Sequence, residues 1–437
     1  MRAGARIRAA REVLEDILDR HRPAATALAE WGRAHRFAGS GDRAAIGTLV
    51  FDALRRKSSL AARMGADSPR ALALAAAPRA LGLTPDEVAA AADGSEHAIE
   101  PLSEEEMAGL DANLPDGTPE HVAGDIPEWL MPSFERAFGA LAAEEGAGLS
   151  ERAPVDVRAN ALKATQDKVV KALARFGAEP APLSPVGVRV PAPQGGGRAP
   201  HVEGETGHGK GWFEVQDAGS QVAALLAGPG PRMQVLDLCA GAGGKTLALA
   251  AVMQNTGQIY AYDSDKRQLR PIFERLKRAG ARNVQVMDAG DEAALTALGP
   301  RFDLVLVDAP CTGSGTWRRK PESKWRLKPA NLPERLAEQA AVLDRAAELV
   351  KPGGRIAYVT CSVLPEENVD QVAAFLERHE GFVVEPYGEA WRASIGGEPP
   401  ESADGATDTL QLTPARHGTD GFFVALLCRS ATSAGGV

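Results

Sequence analysis

Cysteine is scarce. The 437 residues contain four, Cys239, Cys311, Cys361 and Cys428, too few and too scattered for a disulfide framework. None are paired at the close spacing of a zinc site. Each thiol therefore needs its own explanation, as a core residue or as chemistry. Long apolar runs are also missing. No stretch approaches the roughly 18 apolar residues of a membrane span, and the basic start, Met1 to Arg6, leads into an amphipathic stretch and not a signal-peptide core. A cytoplasmic location is expected, with no membrane partner and no metal. Between Thr84 and Glu128 there is no Lys or Arg at all, while thirteen residues are Asp or Glu, so the net charge of −9 becomes +4 without this stretch. A nucleic-acid partner is thus not excluded by the total, because local patches decide such binding.

The length calls for two or three domains. Residues 1–92 read as a helical bundle: Ile7, Val13, Leu14, Ile17, Leu18, Ile46, Leu49, Val50 and Leu54 recur at three- and four-residue spacing. Arginines occupy its other faces. Residues 93–125, acidic and dotted with Gly and Pro, read as a linker or weakly packed connector. Residues 126–230 read as a small α+β unit, with a strand at Val155–Arg158, an N-cap at Thr165 and a mobile loop pair over Pro180–Gly211. Residues 231–429 alternate strand and helix, the pattern of a doubly wound parallel sheet. Its strands are expected at 234–238, 258–262, 284–287, 302–307, 355–360, 382–385 and 422–427. The insertion 396–421 is too polar for a core element, and 430–437 is expected to be disordered. A monomer is expected, since no apolar interface helix is left over.

Two strands of that sheet end in chemistry. Phe302–Val307 runs into Asp308-Ala309-Pro310-Cys311, where Pro310 forces the chain out of the sheet. Arg355–Thr360 ends in Cys361-Ser362. In a doubly wound sheet these strands are neighbours, so Cys311 and Cys361 should face one cavity at the ligand-binding edge. Cys239 and Cys428 read as core thiols. The first strand leads into Cys239-Ala240-Gly241-Ala242-Gly243-Gly244-Lys245-Thr246, a glycine-rich turn opening a helix. A phosphate loop would need Gly where Cys239 stands, and a dinucleotide fingerprint is not cleanly matched. S-adenosylmethionine is the third reading. It gains support from Asp263 at the end of the second strand, placed for the ribose hydroxyls, and Asp288 after the third, placed for the adenine amino group. Helix or turn capping is the plainer role for both acids.

A thiolate, an acid and a methyl donor suit methylation of cytosine at carbon-5. A thiolate added to carbon-6 makes carbon-5 nucleophilic, and Asp308 can hydrogen-bond the ring edge as charge develops. The runs Leu236–Thr246, Asp308–Cys311 and Thr360–Asn368 together resemble the RNA 5-methylcytosine methyltransferases, in particular the bacterial Fmu/Sun group that modifies small-subunit ribosomal RNA. The resemblance covers about residues 155–427. It implies an α/β fold: a Rossmann-like sheet of seven strands, the last antiparallel, with an N-terminal all-α domain and a small α+β subdomain on the RNA side. It also implies that Cys361 is the nucleophile, that Cys311 assists product release, and that Cys239, Ala240, Gly241, Ala242, Gly243, Gly244, Lys245, Asp263, Asp288 and Asp308 contact S-adenosylmethionine. Spacing alone does not order the two thiols. Many family members have Pro where this chain has Ala242. Arg158, Asn160 and Lys163 look like part of the family's RNA-side segments, and the helical start looks like a NusB-type RNA-binding domain.

The segment Trp317–Lys328 carries six basic residues and one acid, a net of +5, interleaved with Trp317 and Trp325. It leaves the presumed site directly, so Arg318, Lys320 and Lys324 are expected to grip RNA. Rival readings are a transfer-RNA or DNA cytosine methyltransferase and a non-catalytic RNA-binding assembly factor. DNA enzymes of this chemistry work with the single thiol of a Pro-Cys motif, so Cys361 argues for RNA.

Overall fold

The computed structural model describes residues 1–431 apart from 194, 196, 198 and 199. The expected disorder of the tail therefore falls largely outside the described residues. Helices Ala3–Leu18, Ala24–Ala34, Ser40–Arg55, Lys57–Met64, Pro69–Leu81 and Pro85–Ala91 build the N-terminal bundle. Its apolar spacing is what drives it together: Ile7, Val13, Leu14, Ile17, Ile46, Leu49, Val50 and Leu54 all lie in one buried core. Alanine lets the helices approach closely. A Cβ on Gly4 would stand 2.0 Å from the Ala91 carbonyl oxygen.

The acidic stretch after residue 92 is not a loose connector. Ile99 and Leu110 are buried in the same core, and Ser103 and Glu106 cap helix Glu104–Asp111 reciprocally. Arginines on the bundle supply the missing counter-charge: Arg70 pairs with Glu100 and Glu106, and Arg11 with Glu100. The buried carboxylate of Asp125 accepts from the Ser59 N–H and hydroxyl at 2.9 and 2.6 Å. Composition pointed to a solvated segment because the matching charges lie far away in sequence.

A small antiparallel sheet follows, formed by β1 (Val155–Ala159), β2 (Glu179–Pro180), β3 (Gly187–Val190) and β4 (Phe213–Val215) in the order β2-β3-β1-β4. Thr165 caps helix Gln166–Ala172, as its position predicts. The stretch Pro180–Gly211 is no simple loop pair, since β3 lies within it and buries Val188 and Val190.

The large sheet contains β5 (Gln234–Asp237), β6 (Gln258–Ala261), β7 (Val284–Val286), β8 (Phe302–Asp308), β9 (Val350–Thr360), β10 (Phe382–Glu385), β11 (Leu410–Leu412) and β12 (Phe422–Arg429). The order is β10-β12-β9-β8-β5-β6-β7, with β11 on β12. Pairing is parallel from β9 to β7, and β12 runs antiparallel to its neighbours. β11 corrects the reading of 396–421 as outside the core: Leu410 and Leu412 are fully buried. The polar residues that misled are buried with partners. Gln411, for one, accepts from the Asn368 amide at 2.8 Å.

The basic segment after β8 is also corrected. Part of it joins the bundle to the sheet, while Arg319, Lys320, Arg326 and Lys328 are exposed. Trp317 is buried against Phe134, with ring centroids 5.9 Å apart. Arg318 is buried in ion pairs with Asp420 and Asp217. Lys324 is fully buried and donates to the Arg55 carbonyl and the Ser150 hydroxyl, both at 2.8 Å. The Trp325 indole donates to the Leu54 carbonyl at 2.6 Å. Arg318 and Lys324 are therefore spent on protein contacts, while Lys320 stays exposed.

Burial pulls the Lys324 ammonium down from 10.5 to about 8. The unfolded chain thus binds this proton where the folded chain does not, and the lysine contributes stability that rises with pH between those values. Relative to Lys324→Met, the wild type should gain up to about 3 kcal/mol from pH 8 to 10.5. Chemical denaturation of both proteins across that range checks this; a constant difference contradicts it.

Candidate active site

The carboxyl ends of β5, β8 and β9 open on one cavity of about 1170 Å³, lined by the turn after β5, by Asp263, by Asp308 to Gly313 and by Cys361. The turn has its shape for two reasons. Gly243 sits at φ +82°, where a Cβ would come within 2.5 Å of Ile272, so a side chain is excluded. Gly241 sits at φ +50°, and a Cβ there would meet nothing within 4 Å. The turn is tight on its protein side and open on its cavity side. Asp263 has the plainer, turn-capping role. It lines the cavity, and it accepts from the Gly241 N–H at 2.9 Å and the Asp265 N–H at 2.8 Å. Beneath the turn, burial raises the Asp237 carboxyl to about 7, and its Oδ1 has no hydrogen-bond partner. Lys245 Nζ stands 2.6 Å from Asp308 Oδ2.

The two thiols meet. Cys311 Sγ and Cys361 Sγ are 3.4 Å apart. The hydrogen bond with Cys361, followed by burial, holds the Cys311 thiol well above its ordinary range. Cys239 lines the cavity, but burial beside Asp308, Asp237 and Asp263 raises it too. Cys428 is remote, hydrogen-bonded to Glu385 and pushed up to about 12.

One residue in the middle of this arrangement had no role in the sequence reading. Glu367 is fully buried, and its carboxylate accepts from the Thr312 N–H at 2.8 Å, the Thr312 hydroxyl at 2.5 Å, the Gln339 amide at 3.0 Å and the Ser362 hydroxyl. Thr312 follows Cys311 and Ser362 follows Cys361, so one carboxylate ties both cysteine loops. Asn368 adds to this by accepting from the Thr360 hydroxyl at 2.6 Å and donating to the Ser362 carbonyl at 3.0 Å. The signal was an acid and an amide set among apolar residues just past the strand end.

The family profile described as 16S rRNA methyltransferase RsmB/F matches residues 224–428. The probable ribosomal RNA small subunit methyltransferase B of Synechocystis sp. is 34% identical over 69% of this chain. Residues 224–428 of this chain are thus similar to the RsmB/F methyltransferase family. The match spans 66% of the Synechocystis protein's length. The crystal structure of PH0851 superposes with a TM-score of 0.70 at 26% identity, covering 97% of this chain and 98% of that one. NSun6 from Pyrococcus horikoshii with SFG shares the fold, with a TM-score of 0.60 at 22% identity over 70% of this chain and 99% of that one.

Not every expected residue converges on the cavity. Asp288 is exposed and lies outside its lining. Arg158 is buried, donates to Gln216 Oε1 at 2.7 Å, and is pulled down to about 10 by burial. Asn160 is buried and joins Gly211 to Ala279 through its amide. Neither offers a surface to RNA. Lys163 is exposed at the edge of the small sheet, and Lys320 lines the cavity. Glu367→Gln replaces one accepting oxygen with an NH2 group that faces donors. It should lower methyl transfer about a hundredfold through misplaced thiols while costing about 1–3 kcal/mol of stability. Turnover assays and thermal melting measure the two effects, and near-normal turnover contradicts the assignment.

Proposed function

We propose that this chain, as a monomer in the cytoplasm, transfers a methyl group from S-adenosylmethionine to carbon-5 of a cytosine in small-subunit ribosomal RNA. The observation that carries this reading is the pair of thiols 3.4 Å apart beside a lysine-paired aspartate. The glycine turn from Cys239 to Lys245 and the Asp263 carboxylate suit the cofactor: the space over Gly241 is open, and Asp263 faces it. When bound, S-adenosylmethionine supplies an electrophilic methyl group.

The chain's residues do the rest. Cys361, as thiolate, adds to carbon-6 of the base, and the displaced electron pair makes carbon-5 nucleophilic. Asp308 and Lys245 present an acceptor and a donor to the polar edge of the ring, where negative charge develops. Cys311, kept protonated by its contact with Cys361 and by burial, stands next to the carbon–sulfur bond that must break. Transfer of the carbon-5 proton to solvent restores the ring and expels Cys361 as a thiolate, and the Cys311 S–H assists by hydrogen-bonding that departing sulfur. The target base has to be flipped out or single-stranded to reach the cavity.

Incubation with methyl-labelled donor and, separately, small-subunit ribosomal RNA, transfer RNA and duplex DNA tests this. Label should appear as 5-methylcytosine in the ribosomal RNA alone. Label confined to transfer RNA or DNA contradicts the substrate, and no label in any of them contradicts the reaction.

A further inference from the structure

With Arg318 and Lys324 buried, the basic segment offers RNA fewer groups than its charge implies, and a further surface is needed. The edge of the small sheet supplies a candidate. Trp212 is held by its backbone, donating to Gly207 and accepting from Asn160 at 2.9 and 2.8 Å. Its indole carries two ammonium groups, Lys168 Nζ at 3.9 Å and Lys210 Nζ at 5.3 Å from the ring centroid. Lys163 Nζ is adjacent, donating to the Lys210 carbonyl at 3.3 Å.

The charges here are unspent. Arg175, Arg189, Arg275 and Arg278, on the same small sheet or the helix packed on it, each pair with an acid. Lys163, Lys168, Lys171 and Lys210 are all exposed. Among the described residues none of the four has a carboxylate within 4.0 Å. An indole face steadies an ammonium without using its N–H donors, so these groups remain available to an anion.

The cluster is also connected to the active site. Lys163 Nζ donates to the Arg278 carbonyl at 2.6 Å, near the end of helix Ile272–Ala279. About one turn back along that helix, Arg275 donates to the Ala242 carbonyl in the glycine turn at 2.8 Å. A nucleic-acid strand leaving the cavity on this side meets the lysines within a few nucleotides.

We propose that Trp212, Lys168 and Lys210 form a phosphate clamp for the RNA strand that flanks the target cytosine. The proposal rests on the RNA substrate proposed above and adds the surface that holds it. The indole fixes where two otherwise free lysines stand, and the backbone phosphates supply the charge they lack. Such a clamp contributes affinity and register and carries no sequence information.

The test uses the full chain and a small-subunit ribosomal RNA fragment. The double variant Lys168→Glu, Lys210→Glu changes only exposed side chains. It should bind this RNA about tenfold more weakly at ~0.1 M salt. The slope of log affinity against log salt should become shallower by about 1.4. KM should rise with kcat at saturating RNA unchanged, and S-adenosylmethionine binding by calorimetry should also be unchanged. A second double variant, Arg232→Glu, Arg392→Glu, reverses two exposed charges outside both the small sheet and the helical bundle. An equal loss there would assign the effect to total charge and overturn the clamp. Wild-type affinity and slope in the lysine variant would overturn the clamp alone. Failure of the wild type to bind the RNA would overturn both the clamp and the substrate reading.

Discussion

The parallel ladder between β8 and β9 sets the level of Asp308, Cys311 and Cys361 at the cavity. Asp308 lies opposite Val359 in the register, and the Ala309 N–H donates to the Val359 carbonyl at 2.8 Å. Both chains then leave the sheet at the same level, one through Pro310 to Cys311 and the other directly to Cys361. A shift in this pairing would move each thiol away from the other and turn alternate side chains to the wrong face. The ladder sets the level, but it does not by itself hold two exit loops in contact. Glu367 does that, by giving the residues after both cysteines a single acceptor. The Gly315 N–H bond to the Cys361 carbonyl, at 3.0 Å, adds a second tie.

Electrostatics divides the basic residues into two populations. Arginines are used as fixed structural donors: Arg70 against the acidic stretch, Arg318 and Arg319 against Asp217 and Asp420, and Arg278 against Glu214. The planar fork of arginine suits this work, since it satisfies a carboxylate or a carbonyl in a defined direction. Among the described residues several exposed lysines have no acid partner, notably around Trp212. Net charge says little about such a chain, because many of its ions are paired within the fold.

Much of the catalytic half was legible in the sequence. Short apolar runs bounded by Gly, Pro and Asp matched β5 to β8 to within a residue, since strands buried on both faces leave continuous apolar runs, while β9 begins at Val350, five residues before the expected Arg355. The proximity of Cys311 and Cys361 followed from strand adjacency alone. Long-range partners were illegible. The acidic 93–125 stretch resembled a linker because Arg11 and Arg70 lie in distant helices. β11 was hidden by Gln411 and its neighbours, whose polar groups are satisfied only after folding. The Trp317–Lys328 segment looked like a nucleic-acid surface because its net charge was visible, while Asp217, Asp420 and the Arg55 carbonyl, which engage Arg318, Arg319 and Lys324, were not. Glu367 was visible as a residue, and its work became visible only when both cysteine loops were in place.

The central claim is a division of labour between two touching thiols, and trapping the covalent adduct tests it most directly. Wild type, Cys311→Ala and Cys361→Ala are each mixed with S-adenosylmethionine and small-subunit ribosomal RNA, then denatured and resolved by electrophoresis. The account predicts a denaturation-resistant protein–RNA adduct that accumulates in Cys311→Ala, where release is impaired, and is absent in Cys361→Ala. An adduct that persists in Cys361→Ala and vanishes in Cys311→Ala would contradict it and make Cys311 the nucleophile.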